Sequence, residues 1–214
     1  MLSRFSMRTI PCLMVAVLLG ACHDADSPVV QHDAEADQLY QLCTQCHGQQ
    51  LQGNPEIAAP AVAGLPEWYI VNQLRKFKEG VRGTHFDDIA GMRMRPMAMS
   101  LTMGDIDTIA GKVASMDPHE GQPVLDGGDA ARGKTLFTPC TACHGPKADG
   151  NQQLNAPPLT QSPDWYLLTQ LKNFKHGARG ANPKDTTGAQ MRPMAQGLPD
   201  EQAMRDVIAY ISTL

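Results

Sequence analysis

Cys43-Thr44-Gln45-Cys46-His47 and Cys140-Thr141-Ala142-Cys143-His144 are two copies of one pentapeptide. Two thiols three positions apart can add to the two vinyl groups of a haem, and the adjoining histidine then reaches the iron. Cys-x-x-Cys-His therefore reads as a c-type haem attachment site. Zinc, the main rival for Cys-x-x-Cys, needs four ligands close together. These motifs lie 97 positions apart, each with its own histidine, so two separate haems fit better than one shared metal or a redox dithiol.

The offset of 97 holds without a gap well beyond the motifs. Trp68-Tyr69 repeats as Trp165-Tyr166, Gln73-Leu74 as Gln170-Leu171, Phe77-Lys78 as Phe174-Lys175 and Arg82-Gly83 as Arg179-Gly180. Met94-Arg95-Pro96-Met97-Ala98 repeats as Met191-Arg192-Pro193-Met194-Ala195. Units this long are duplicated domains rather than members of a solenoid array. The first is expected over residues 34–117 and the second over 128–214. The Pro- and Gly-containing stretch 118–127 links them. Cores this small are marginal alone, and a covalent haem supplies apolar surface that the side chains lack.

The periodicity predicts an all-α fold with three helices per unit. The first leads into the haem motif (34–46 and 128–143). The second spans 67–80 and 164–177, with apolar residues at three- and four-residue spacing and a closing glycine. The third spans 104–116 and 200–213, and the stretch between the first two helices is a loop.

The two other cysteines belong to the N-terminus. Arg4 and Arg8 form a basic region, residues 10–19 a short apolar run, and Leu19-Gly20-Ala21 a small-residue approach to Cys22. The run is about half of the roughly 20 residues that a spanning helix needs. Leu-Gly-Ala-Cys resembles the lipobox of bacterial lipoproteins. That resemblance makes 1–21 a signal that carries Cys12 away, and Cys22 the lipidated first residue. Residues 22–33 are then a polar, flexible tether to the membrane. His23 at the next position, rather than Asp, favours the outer membrane by the same resemblance. An ordinary secretory signal is the alternative. With four thiols on haem and one on lipid, no pair is left for a disulfide, even in an oxidising compartment.

His47 and His144 are the expected proximal ligands. A haem iron in an electron carrier takes a second axial ligand, and methionine there raises the reduction potential. Among twelve methionines the repeat retains two pairs, Met94/Met191 and Met97/Met194. The chain resembles the cytochrome c4 family of two-haem electron carriers from about residue 34 to residue 214. The likeness rests on the paired haem motifs, the Tyr-containing Gln-Leu helix, the Phe-Lys helix end and the methionine before a terminal helix. In that family the ligand methionine lies seven residues before the leucine that precedes the last helix. Here those leucines are Leu101 and Leu198, which selects Met94 and Met191 and leaves Met97 and Met194 to packing at the haem edge. Similar cytochromes hold the histidine Nδ1 on a proline carbonyl, which points to Pro60 and Pro157. Arg82 and Arg179 suit haem propionates, as guanidinium suits carboxylate, or else are solvated surface residues.

The implied function is electron transfer by a periplasm-facing, membrane-tethered dihaem cytochrome, with the two haems facing one another across a pseudo-twofold axis. No catalytic residue and no small-molecule substrate are expected. Two alternatives remain: the electron-accepting subunit of a periplasmic dehydrogenase, and a dihaem peroxidase, which needs an iron site that opens. The formal charge of −4 becomes −6 once Arg4 and Arg8 leave. An acidic carrier suits redox partners with basic docking surfaces, and the same sign disfavours nucleic acid.

Overall fold

The computed structural model describes residues 28–119 and 123–214. The signal, Cys22 and the lipobox lie outside them. The first domain contains α1 (Pro28–His47), α2 (Glu67–Lys78), α3 (Ile89–Ser100) and α4 (Met103–Ala114). The second contains α5 (Ala130–Phe137), α6 (Thr141–His144), α7 (Asp164–His176), α8 (Thr186–Gln196) and α9 (Glu201–Ile211). Short 3-10 turns complete each domain. Among the described residues there is no strand, only one isolated bridge per domain, Asn54 with Ala59 and Asn151 with Ala156. The chain is all-α.

Two differences from the sequence reading stand at the start of the domains. Helix α1 already covers Pro28, the first described residue, so the expected tether is helical over 28–33. In the second domain the corresponding helix is interrupted by a 3-10 turn over Thr138–Cys140, which contains Pro139. The first domain has Leu42 at that place and stays continuous. An interior proline removes a hydrogen bond and clashes with the preceding turn, which accounts for the break.

The larger difference is an additional helix in each domain. Helices α3 and α8 carry the Met-Arg-Pro-Met segments, with Pro96 and Pro193 inside them. They bury only small residues, Gly91 and Ala98 in one, Gly188 and Ala195 in the other. That pattern has no apolar periodicity to read. Each helix is started by an aspartate: the Asp88 carboxylate accepts from Gly91 N at 3.1 Å and the Asp185 carboxylate from Gly188 N at 3.0 Å. Small inner residues let the chain approach closely. Gly83 and Gly180 have φ of +74° and +77°, and a Cβ on either would lie 2.3 Å from the Gly91 or Gly188 carbonyl oxygen. Only glycine suits both demands.

Both cores centre on the terminal helix of their domain. Leu74 and Phe77 of α2 meet Ile106, Ile109 and Val113 of α4 in the first. Phe137 of α5 meets Met204, Val207, Ile208 and Ile211 of α9 in the second. A capping box closes the start of α4, where Thr102 Oγ1 accepts from Asp105 N and Asp105 Oδ2 accepts from Thr102 N. These cores hold the haem-motif helix and the terminal helix together and leave the face between motif and methionine helix open.

Candidate haem sites

Both histidines of the pentapeptides close a helix and turn their rings inwards. His47 Nδ1 lies 2.7 Å from the Pro60 carbonyl oxygen, and His144 Nδ1 lies 2.8 Å from that of Pro157. A carbonyl only accepts, so Nδ1 carries the hydrogen and Nε2 presents its lone pair to a metal. Burial lowers the pKa of both rings, and the proline carbonyl opposes it. The result is a neutral imidazole, the form that ligates. Burial likewise pushes the Cys43 and Cys140 thiols up, which is the reverse of a reactive dithiol. Cys46 and Cys143 are exposed, at the mouth of each site.

A cavity in the second domain runs from Cys140, Cys143 and His144 to Met191. Its walls are largely apolar, with Phe137, Leu167, Leu171, Phe174, Val207 and Ile208 among them. A flat, apolar macrocycle bound through thioethers and a histidine fits this donor set and these walls. In α3 and α8 the inward stripe comprises Gly91, Met94 and Ala98, and Gly188, Met191 and Ala195, at three- and four-residue steps. Met94 packs against the first core, and both Met191 and Met194 line the second cavity. Met97 and Met194 are both 43% exposed.

Lysines that carried no role in the sequence reading fix the far ends of the methionine helices. Lys78 Nζ donates to the Leu101 carbonyl at 2.5 Å and to that of Met99 at 3.2 Å. Lys175 Nζ donates in the same way to the carbonyls of Leu198 and Pro199. Phe-Lys is thus a positioning motif, with Phe in the core and Lys holding the chain just after the methionine helix. Trp68 and Trp165 are half-buried and make edge contacts with Tyr69 and Tyr166, at 5.8 and 6.0 Å between ring centres.

Arg82 and Arg179 are buried between the domains, which removes the solvated-surface alternative. Arg82 donates to Gln73 Oε1 at 2.9 Å and across to Gln170 Oε1 and the Tyr166 hydroxyl, both at 3.0 Å. Arg179 donates to Gln170 Oε1 at 2.7 Å and across to Gln73 Oε1 at 2.9 Å. Each arginine therefore bonds its own glutamine and the other domain's, the reciprocal pattern of a twofold interface. Each also lies over a core phenylalanine, Phe77 at 4.5 Å and Phe174 at 4.6 Å. The partners of this network are Gln73 and Gln170. The repeat marked them as equivalent residues, but one sequence position could not disclose that they cross the interface.

The cytochrome c family model matches residues 34–111 and 130–214. The chain belongs to the cytochrome c family and carries two covalently bound c-type haems. It is a dihaem electron carrier related both to cytochrome c4 and to the cytochrome that serves thiosulfate dehydrogenase. Cytochrome c4 of Stutzerimonas stutzeri is 30% identical over 188 residues, 81% of this chain and 84% of that protein. The thiosulfate dehydrogenase electron acceptor of Thiomonas intermedia is 32% identical over 151 residues, 66% of each chain. Among solved structures, Acidithiobacillus ferrooxidans cytochrome c4 matches with a TM-score of 0.66 at 26% identity, covering 80% of this chain and 98% of that one. Thiosulfate dehydrogenase of Marichromatium purpuratum also matches at 0.66 with 27% identity, over 84% of this chain but only 40% of that larger one.

Proposed function

We propose that this protein is a periplasm-facing, lipid-anchored dihaem cytochrome that takes electrons from a dehydrogenase or reductase and delivers them to an oxidase, a reductase or another cytochrome. In this reading Cys43 and Cys46 hold one haem by thioether bonds, and Cys140 and Cys143 hold the other. His47 and Met94 ligate the first iron, His144 and Met191 the second. Arg82 and Arg179 bring buried positive charge to the interface, where propionate carboxylates would find it.

One observation carries this reading. In both halves a histidine fixed through Nδ1 is matched by an inward-facing methionine on the inner stripe of its own helix. Two six-coordinate irons leave no position for substrate, which suits a carrier and argues against peroxidase chemistry. The near-infrared sulfur-to-iron charge-transfer band of the oxidised protein is the test. Met94→Ala and Met191→Ala should each remove about half of it and lower one potential. Met97→Ala and Met194→Ala should keep it; the opposite outcome would exchange the ligands.

The electron donor is supported by a second line. Relatives in Thiomonas intermedia and Stutzerimonas stutzeri are named thiosulfate dehydrogenase electron acceptors. We assign this chain the same kind of donor, a dehydrogenase on another polypeptide. Mixing it with such an enzyme and thiosulfate should reduce the haems, at a rate that falls as salt rises; failure to reduce them would point to a different donor. Among the described residues no helix is long and apolar enough to cross a membrane. We assign attachment to lipid on Cys22, on the strength of the Leu-Gly-Ala-Cys motif, in the outer membrane if His23 acts as a sorting residue. One acyl chain binds only marginally and stable anchoring needs more than one, which a lipoprotein cysteine supplies. Cys22→Ser should release a soluble cytochrome with unchanged spectra, and retention in the membrane fraction would refute the anchor.

A further inference from the structure

We propose that Lys76, a residue of the first domain, tunes the second haem and makes its reduction potential the higher of the two. The proposal rests on the dihaem reading above and adds which residue breaks the symmetry between the sites.

Positions 76 and 173 are equivalent in the repeat, and so are 88 and 185. Each aspartate starts a methionine helix, each is 2% exposed, and each faces the position-76 or position-173 residue of the opposite domain. The two arrangements differ by one charge. Lys76 Nζ lies 2.6 Å from Asp185 Oδ1 and 2.6 Å from Thr187 Oγ1. On the other side a neutral amide takes this place, Asn173 Nδ2 donating to Asp88 Oδ1 at 3.2 Å. Asp88 Oδ2 is buried with no hydrogen-bond partner. Lys76 also lines the second haem cavity itself, beside Thr187 and Gly188 at the start of α8.

Reduction removes one positive charge from the iron. A nearby buried cation therefore favours the reduced form, and a buried carboxylate without a countercharge favours the oxidised one. The second site has its aspartate paired with an ammonium, whereas at the first no ammonium among the described residues reaches the aspartate and its side-chain partner across the interface is an amide. Asp185 is buried and the Lys76 side chain is 21% exposed, so salt screens this pair less than a surface pair. The buried arginines are matched in charge, since Gln73, Arg82 and Phe77 have Gln170, Arg179 and Phe174 as equivalents, although only Arg82 also reaches a tyrosine hydroxyl, that of Tyr166. The exposed neighbours lean the same way, Asp87 in the first domain against Lys184 in the second, though solvent weakens them. Position 76 thus acts in trans, from one domain on the iron environment of the other.

Redox potentiometry of the full haem-loaded chain tests this. Wild type should titrate in two one-electron waves. Lys76→Asn copies the first-site arrangement into the second and should lower the upper wave while leaving the lower one in place. Asn173→Lys makes the reverse copy and should raise the lower wave. Lys76→Arg keeps the charge and should hold the upper wave near its wild-type position. An upper wave unmoved by Lys76→Asn, or lowered as much by Lys76→Arg as by Lys76→Asn, would overturn the proposal; the latter would assign the residue to packing. The carrier reading fails separately, on a haem count other than two or on a missing charge-transfer band. The tuning proposal fails with both of those intact.

Discussion

The first and second domains keep the same residues on the inner stripe of the methionine helix and part company on that helix's outward face. Gly91, Met94 and Ala98 have identical equivalents in Gly188, Met191 and Ala195, as do the proline beside each histidine and the lysine that holds each methionine helix. Outside that stripe the first domain exposes Phe86, Ile89, Met92, Met99 and Met103. The second has Pro183, Thr186, Ala189, Gln196 and Asp200 at these places. The charge divides in the same way. Residues 34–117 hold ten Asp and Glu against seven Lys and Arg, whereas residues 128–214 hold seven against nine. Haem geometry constrains what faces the cavity and leaves the outer surface free. The two ends of the molecule consequently offer a redox partner different charge and different apolar relief. The acidic character inferred for the whole chain belongs to the first domain, the N-terminal segment and the linker with Glu120 and Asp126, so a basic partner is expected to dock on the first domain.

If the domains are independent haem carriers, the largest effect should come from the thiols. Replacing Cys43 and Cys46 together by Ala, or Cys140 and Cys143 together, should each leave one covalent haem of two. Extraction in acid-acetone followed by haem quantification measures it. Loss of both haems from one double variant would show that the domains mature only as a pair.

The helix that leads into the haem motif separates the domains next. Gly133 of α5 sits where α1 has Ala36, and a Cβ there would lie 1.8 Å from the Asp206 carbonyl oxygen of α9. Gly133→Ala should cost about 1–3 kcal/mol through overpacking. Ala36→Gly in the first domain should cost only about 0.5–1 kcal/mol, mostly backbone entropy. Thermal unfolding followed at the haem absorption resolves the two. Equal costs would mean that α5 and α9 can move apart as freely as α1 and α4.

The smallest effect concerns acid. Asp206 is buried in α9, where the first domain has the buried Ile109. The Asp129 backbone N–H at 2.9 Å, helped by Gln202 and by Arg132 at 2.8 Å, holds its carboxyl below the usual carboxylate range. A depressed pKa contributes stability that is present above the unfolded value of about 3.9 and is lost as the pH falls through the folded value beneath it. Asp206→Asn should therefore lower the melting temperature at pH 6 and make progressively less difference below pH 4. A gap between variant and wild type that does not change with pH would assign Asp206 a purely steric role.

The sequence reading reached the cysteines, the histidines, the duplication and six of the eight principal helices directly, with α5 and α6 taken as one interrupted helix, because these are signalled by spacing. It missed α3 and α8 because their buried faces are glycine and alanine and their interiors contain proline, so neither periodicity nor propensity marks them. It kept two methionine pairs open on the repeat alone, and only the resemblance to a family chose between them. Met94 and Met191 are half-buried where Met97 and Met194 are exposed, but both Met191 and Met194 line the second cavity, so the choice stays a proposal.

By itself the sequence determined two haem attachments, because covalent chemistry needs its atoms at fixed local spacing within a single turn. It also determined the all-α class and the tandem organisation, because helical periods and a gapless offset are properties of the chain. Only the tertiary structure decided what lies between the domains. Arg82 with Gln170, Arg179 with Gln73, and Lys76 with Asp185 are separated by about a hundred residues and join only when the two halves pack. The repeat makes Lys76 and Asn173 equivalent, and folding makes them different, because each is measured against an aspartate that belongs to the other domain.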